Sequence, residues 1–201
     1  SGQSCSTSNP CRIRPSATLI ITRAVTIDGS TQSGWGGTPV VWIDGSSASP
    51  SGSTVHGLDV RASGVTIKEF TISDWTGAGV RITSGTGSSI TGNYVGANAV
   101  GVLVESASSG NSITGNEIGT ATGYSSNGYE PNASHGIELR GTGNTVGGAS
   151  STTRNLIRGN GGNGILISGD DNVVRGNYIG TDGNGSGGNA GAGIYVNGAA
   201  N

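Results

Sequence analysis

The chain is poor in most of what a compact enzyme domain uses. Only 11% of its 201 residues are charged, 4% are aromatic, and methionine is absent. So few large and charged side chains argue against an ordinary two-layer domain. A formal net charge of −2, without a basic stripe, gives no reason to expect a nucleic-acid partner. No apolar run reaches the length that spans a bilayer. There is no initiator methionine and no apolar leader, which reads as a mature or excised product. The two cysteines, Cys5 and Cys11, flank a short polar loop with Pro10. That spacing suits a local disulfide and an oxidising, extracytoplasmic home, with two free thiols as the alternative. A metal site there lacks further ligands, because neither histidine is near in sequence.

Abundant instead are glycine (40 residues), serine, threonine and asparagine. Such a composition borders on that of disordered chains. The apolar residues, however, recur in register. Ser89-Ile90-Thr91-Gly92-Asn93-Tyr94-Val95-Gly96 returns as Ser112-Ile113-Thr114-Gly115-Asn116-Glu117-Ile118-Gly119, and again around Gly176-Asn177-Tyr178-Ile179-Gly180. A fixed period in this range is the mark of stacked repeats, and the alternation within each phrase is that of strands. A second signal is Gly, apolar, any residue, apolar. It recurs at Gly57–Val60, Gly79–Ile82, Gly101–Val104, Gly136–Leu139, Gly164–Ile167 and Gly193–Val196. The period-2 rule points the flanking apolar pair inward and the middle residue outward. The expectation is an all-β parallel solenoid of roughly six to seven coils and little helix, with an N-terminal arm over 1–17 and coils over 18–201. Inserts interrupt it at Thr120–Ser134, Gly147–Arg154 and Asp182–Ala192.

The inward column at the Gly-Asn corner is Phe70, Asn93, Asn116, Asn155, Asn177. Inward asparagines stacked about 4.8 Å apart can bond one another and the corner backbone, which makes a structural ladder. Glycine and asparagine both tolerate the left-handed conformation of a sharp corner.

Val25-Thr26-Ile27-Asp28-Gly29-Ser30-Thr31-Gln32, Gly64-Val65-Thr66-Ile67 and Gly176-Asn177-Tyr178-Ile179-Gly180-Thr181-Asp182 resemble bacterial secreted right-handed parallel β-helix repeat proteins, of the pectate-lyase-like β-solenoid superfamily. The similarity covers about Thr18–Asn201. It implies the fold and an extracellular or cell-surface location. It implies no single activity, since this fold serves polysaccharide lyases, hydrolases, phage tailspikes and large surface proteins. The amphipathic capping helix usual in the β-helix enzymes has no counterpart in these residues.

Chemistry is thinly spread. One outward column reads Asp59, Arg81, Leu103, Glu138, Leu166, Tyr195, and the next reads Arg61, Thr83, Glu105, Arg140, Ser168, Asn197. Adjacent rungs then pair Asp59 with Arg81 and Glu105 with Arg140, as ordinary cross-strand stabilisation. A glycosidase needs two carboxylates about 5–9.5 Å apart across a cleft. Glu117, Glu130 and Glu138 are candidates that no pattern brings together, and no three acids stack on one face. His56 and His135 hold equivalent places, three rungs apart, and read as turn-lining residues. Asp182, Asn184 and Ser186 begin a calcium-type loop, but Gly193 stands where its bidentate acid belongs. No other cofactor is expected. A further outward column, Trp42, Thr71, Tyr94, Glu117, Leu156, Tyr178, could stack on sugar rings or on another subunit. Tyr124 and Tyr129 in the longest insert, and Tyr195, are further contact candidates.

Two functions compete. The first is a non-catalytic structural solenoid that joins head to tail with copies of itself into a filament or surface layer. The second is a protein that binds or degrades a cell-surface polysaccharide. An ice-binding face would want regular Thr-x-Thr columns, and the threonines are scattered.

Overall fold

A computed structural model describes residues 4–48, 52–119, 130–181 and 187–201. Its strands form three long parallel sheets visited in rotation. The first sheet holds Cys11–Ile13, Val41–Asp44, Thr71–Ser73, Tyr94–Val95, Glu117–Ile118, Leu156–Ile157 and Tyr178–Ile179. The second holds Leu19–Ile21, Leu58–Val60, Ala78–Ile82, Val100–Val104, Ile137–Leu139, Ile165–Ile167 and Ile194–Val196. The third holds Thr26–Asp28, Thr66–Lys68, Ser89–Thr91, Ser112–Thr114, Thr145–Val146 and Val173–Val174. One turn of chain thus lays one strand on each face. The expected coil count and strand phrases are borne out. Among the described residues the only helices are two short 3-10 turns, at Gly29–Thr31 and Gly45–Ser47, each capped by the aspartate before it.

The Cys5–Cys11 disulfide is present. The arm it closes is more than an arm: Cys11–Ile13 is the first strand of the first sheet, paired with Val41–Ile43.

The inward columns are dry. Leu58, Val80, Val102, Ile137 and Ile165 stack on one another in the second sheet, and Ile67, Ile90, Ile113 and Val146 in the third, all essentially without exposure. Side chains of this size fill the narrow tube between three sheets. Each inner rung rests only on its neighbours, as in other solenoids.

The coil-opening glycines have a steric cause. Gly136 stacks directly beneath Gly101, and a Cβ on Gly101 would lie 2.4 Å from the Gly136 carbonyl oxygen. A Cβ on Gly136 would meet the next carbonyl, Gly164 O, at 2.7 Å. Backbone lies against backbone here, so a side chain has nowhere to go.

The corners carry three ladders, not one. The expected ladder is present: Asn93 Oδ1 accepts from the Phe70 N–H, Asn116 Oδ1 from Asn93, Asn155 Oδ1 from Asn116 and Asn177 Oδ1 from Asn155. A second runs Trp75, Asn98, Asn132, Asn160, Asn189. A third runs Val65, Ser88, Asn111, Asn144, Asn172, Asn201. At the first corner the left-handed residue is the one before the asparagine, Gly92, Gly115 and Gly176 near φ +65°, while the asparagines keep negative φ. At these three rungs glycine supplies the bend, and asparagine supplies the bonds. In the rung above, Glu69 takes the same position at φ +62°.

Candidate functional site on the outward face of the first sheet

The outward column of the first sheet has the expected register. Arg12, Trp42, Thr71, Tyr94, Glu117, Leu156 and Tyr178 are successive partners. Its exposure departs from expectation. Trp42 is only 5% exposed. The Arg12 guanidinium lies 3.6 Å over its ring, and its Nε1–H donates to Ser73 Oγ at 2.7 Å. A cation already occupies the ring face, so Trp42 is not an open platform for a sugar. Thr71 is fully buried, and its hydroxyl oxygen has no hydrogen-bond partner. Tyr94 is half-buried. Tyr178, at the far end, is 41% exposed, with the Arg154 guanidinium 4.2 Å from its ring. Tyr195 is exposed too, but on the second sheet. Tyr124 and Tyr129 lie outside the described residues.

Of the three candidate carboxylates, Glu117 and Glu130 lie on the first-sheet side. Glu138 belongs to the second sheet, where Arg140 holds it at 2.8 Å. The sequence did not reveal that Glu130 shares this face with two other acids. Asp44 ends the second strand and Asp74 follows the third. Asp44 is buried and paired with Arg14 at 2.8 Å and Arg12 at 3.5 Å. Burial raises its pKa, but hydrogen bonds from Ser46 and the Arg14 contact outweigh that and hold it low. Asp74 Oδ2 accepts from Ser73 Oγ at 2.5 Å, which extends the chain that starts at Trp42 Nε1. Burial pushes the Glu130 carboxyl up, and the charges of Asp74 and Asp44 add to this against the pull of Arg12. The expectation was that no three acids stack on one face; Asp44, Asp74 and Glu130 act on one another here through charge, and they do not form a cluster able to hold a metal. They come from separate turns and a distant insert, with no common sequence spacing.

The ion pairs of the second sheet also differ in part. Asp59 and Arg81 are strand partners. Yet Asp59 bonds Arg61, just past the end of its own strand, at 2.7 Å and accepts the Thr83 hydroxyl, while Arg81 reaches on to Glu105 at 2.8 Å. Arg61 lies two residues on, on the same face, and is the nearer cation. The Glu105–Arg140 pair forms at 3.1 Å, as expected.

His56 and His135 are equivalent. His56 Nδ1 accepts the Ala78 N–H, and His135 Nδ1 accepts the Asn163 N–H, at 2.9 and 3.0 Å. Each is a one-rung bond to backbone, which continues the ladder logic with an imidazole. Burial, then the Arg81 charge, lowers the His56 pKa.

Among the described residues, no group of His, Cys, Asp and Glu side chains is arranged to hold a metal ion. Asp182, Asn184 and Ser186 lie outside them. No described helix is long and apolar enough to cross a membrane.

Three parallel sheets in rotation, with stacked aliphatics and corner asparagines, agree with the family comparison. The model of the right-handed β-helix region matches residues 17–201. The chain belongs to that family. No curated protein and no solved structure matches it. Membership of the right-handed β-helix family carries the fold and leaves the activity open.

Proposed function

We propose that this β-helix is an extracellular structural solenoid without catalytic activity, which stacks end to end with further copies of itself. The observation that carries the reading is the use to which polar side chains are put. Asp28–Lys68, Asp44–Arg14, Arg81–Glu105 and Glu105–Arg140 each tie one rung to the next. Three ladders and two histidines do the same from the corners. Among the described residues, chemistry directed at the neighbouring rung builds a stiff rod and leaves little directed at a substrate. Exposed apolar residues lie on the outermost described rungs. Ile13, Leu19, Ile20 and Val25 lie on the first rung, and Val173, Tyr178, Ile194, Tyr195 and Val196 on the last.

Sedimentation and electron microscopy of the purified 201-residue chain test the proposal. Rods that lengthen with concentration are expected. A strictly monomeric protein at high concentration removes the stacking. Turnover of a polysaccharide, lost in Glu117→Gln or Glu130→Gln, would establish an enzyme instead.

A further inference from the structure

Hydroxyl side chains that look scattered in the sequence are aligned by the fold on the third sheet. Ile67, Ile90, Ile113 and Val146 point inward without exposure, so the residues on either side of each point outward. Thr66, Ser89, Ser112 and Thr145 are successive partners in one outward column. Thr91 and Thr114 are partners in the next. All six are half-buried, each reaching solvent between its neighbours.

The backbone fixes two spacings on this face. Successive rungs lie about 4.8 Å apart, and residues i and i+2 of one strand about 6.6 Å apart. The aliphatic column supports it from below, and the third ladder supports its edge, where the Asn111 and Asn144 N–H groups each bond the next rung at 3.0 Å. Thr114 Oγ1 donates to Thr91 Oγ1 at 3.3 Å, which ties that column along the axis. The Ser89 and Ser112 hydroxyls make no hydrogen bond with a described residue and are left to water.

Charge is confined to the margins. Lys68 heads the second column and is held by Asp28 at 2.9 Å, and Arg175 follows the strand one rung beyond Thr145. The other outward faces differ: the first carries Arg12 and Asp44, and the second the chain Arg81, Glu105, Arg140. A charged group orders water radially around itself. Neutral hydroxyls at rigid, repeated positions order it in rows, and water held in this way is bonded nearly as well as by a direct contact. No aromatic side chain stands in either column, so a sugar ring has no platform there.

We propose that the hydroxyl face of the third sheet binds ice. Its neutrality complements an uncharged lattice, and its two fixed spacings are close to those between oxygen rows in ice. Water anchored in rows on the hydroxyls joins the crystal and holds the protein to it. The face runs along the side of the rod and is the same on one copy as on a stack, so ice binding and stacking can fail separately.

Ice-affinity partition of the full 201-residue chain tests the proposal. Ice is grown slowly from a dilute solution that also holds a non-binding protein of similar size. The wild type is expected to be enriched in the ice relative to that control, and to slow recrystallisation in a frozen film. Ser89→Lys combined with Ser112→Glu puts a charged pair at the centre of the column, and opposite charges on neighbouring strands keep the cost to folding small. With a melting temperature near that of wild type, this variant is expected to fall to the level of the control. Ser112→Lys alone gives the same reading if the double variant does not fold. Leu166→Lys, on the outward face of the second sheet, leaves the enrichment unchanged. Exclusion of wild type from the ice, or enrichment that survives in the folded Ser89→Lys/Ser112→Glu variant, overturns the proposal. Retention on insoluble cellulose or chitin without enrichment in ice overturns it in favour of a polysaccharide.

Discussion

Asn116 shows how much one side chain does here. Its Oδ1 accepts from both nitrogens of Asn93, and its Nδ2 donates to Ile90 O, Thr114 O and Asn155 Oδ1. Asn116→Ala strands buried groups on two rungs. A loss of about 1–3 kcal/mol is expected in chemical denaturation, at the upper end because several partners are orphaned together. A neutral result would remove the energetic role of the ladder. His56 predicts a pH effect of definite sign. Its folded pKa is lowered, so the unfolded chain takes up protons first. The stability it contributes is present above its unfolded pKa of about 6.5 and is lost as pH falls toward the folded value. Glu130 has the opposite sign, since its raised pKa adds stability as pH falls. Melting temperatures of His56→Gln and wild type should therefore converge as the solution is acidified through that window.

At the scale of the element, the coil-opening strand was the most legible part of the chain. Gly, apolar, any, apolar states its own register, and the pairing Val102–Ile137–Ile165 follows it. One ladder was legible from its Gly-Asn repeat. The other two used the same dipeptide, at Gly110-Asn111, Gly143-Asn144 and Gly159-Asn160, and could have been found from it. What defeated the reading was position: Asn98 and Asn132 follow Ala97 and Pro131, so the second corner loses the dipeptide where the regular coils begin. Trp42 was misread for another reason. Strand parity gives its direction, but the Arg12 that covers it arrives from a strand 30 residues earlier. The glycine column yields a firm prediction. Gly136→Ala should destabilise the protein although alanine is otherwise favoured over glycine by about 0.5–1 kcal/mol, because the obstacle is the Gly164 carbonyl and the next rung cannot move aside. A melting temperature equal to wild type would show that the rungs have slack.

At the scale of the whole molecule, each inner rung is covered by its neighbours, and the outer rungs are not. Leu58 and Ile165 are sealed, while Leu19 and Ile194 in the same column are 37% and 43% exposed. The edge also has a directed set of backbone groups. Ile165 N–H donates to Gly193 O and Asn197 N–H to Ile167 O, so odd-numbered groups of the last strand face the rung before it. The groups of Ile194 and Val196 point the other way, along the axis. Proline at Tyr195 would break a bond inside the rod, whereas proline at Val196 removes an outward donor and leaves the inner pairing intact. In the proposed stacking, head-to-tail contact would join unlike surfaces without closing on itself and so give rods of open length. A contact of this kind should bury more than about 1,000 Å² in total to persist. Val196→Pro is therefore expected to give a folded protein, with the melting temperature of wild type to within a few degrees, that sediments as a monomer at concentrations where wild type forms rods. Rods of undiminished length from Val196→Pro would show that the copies associate through their side faces, and the exposed Tyr178 and Tyr195 would then be the residues to replace.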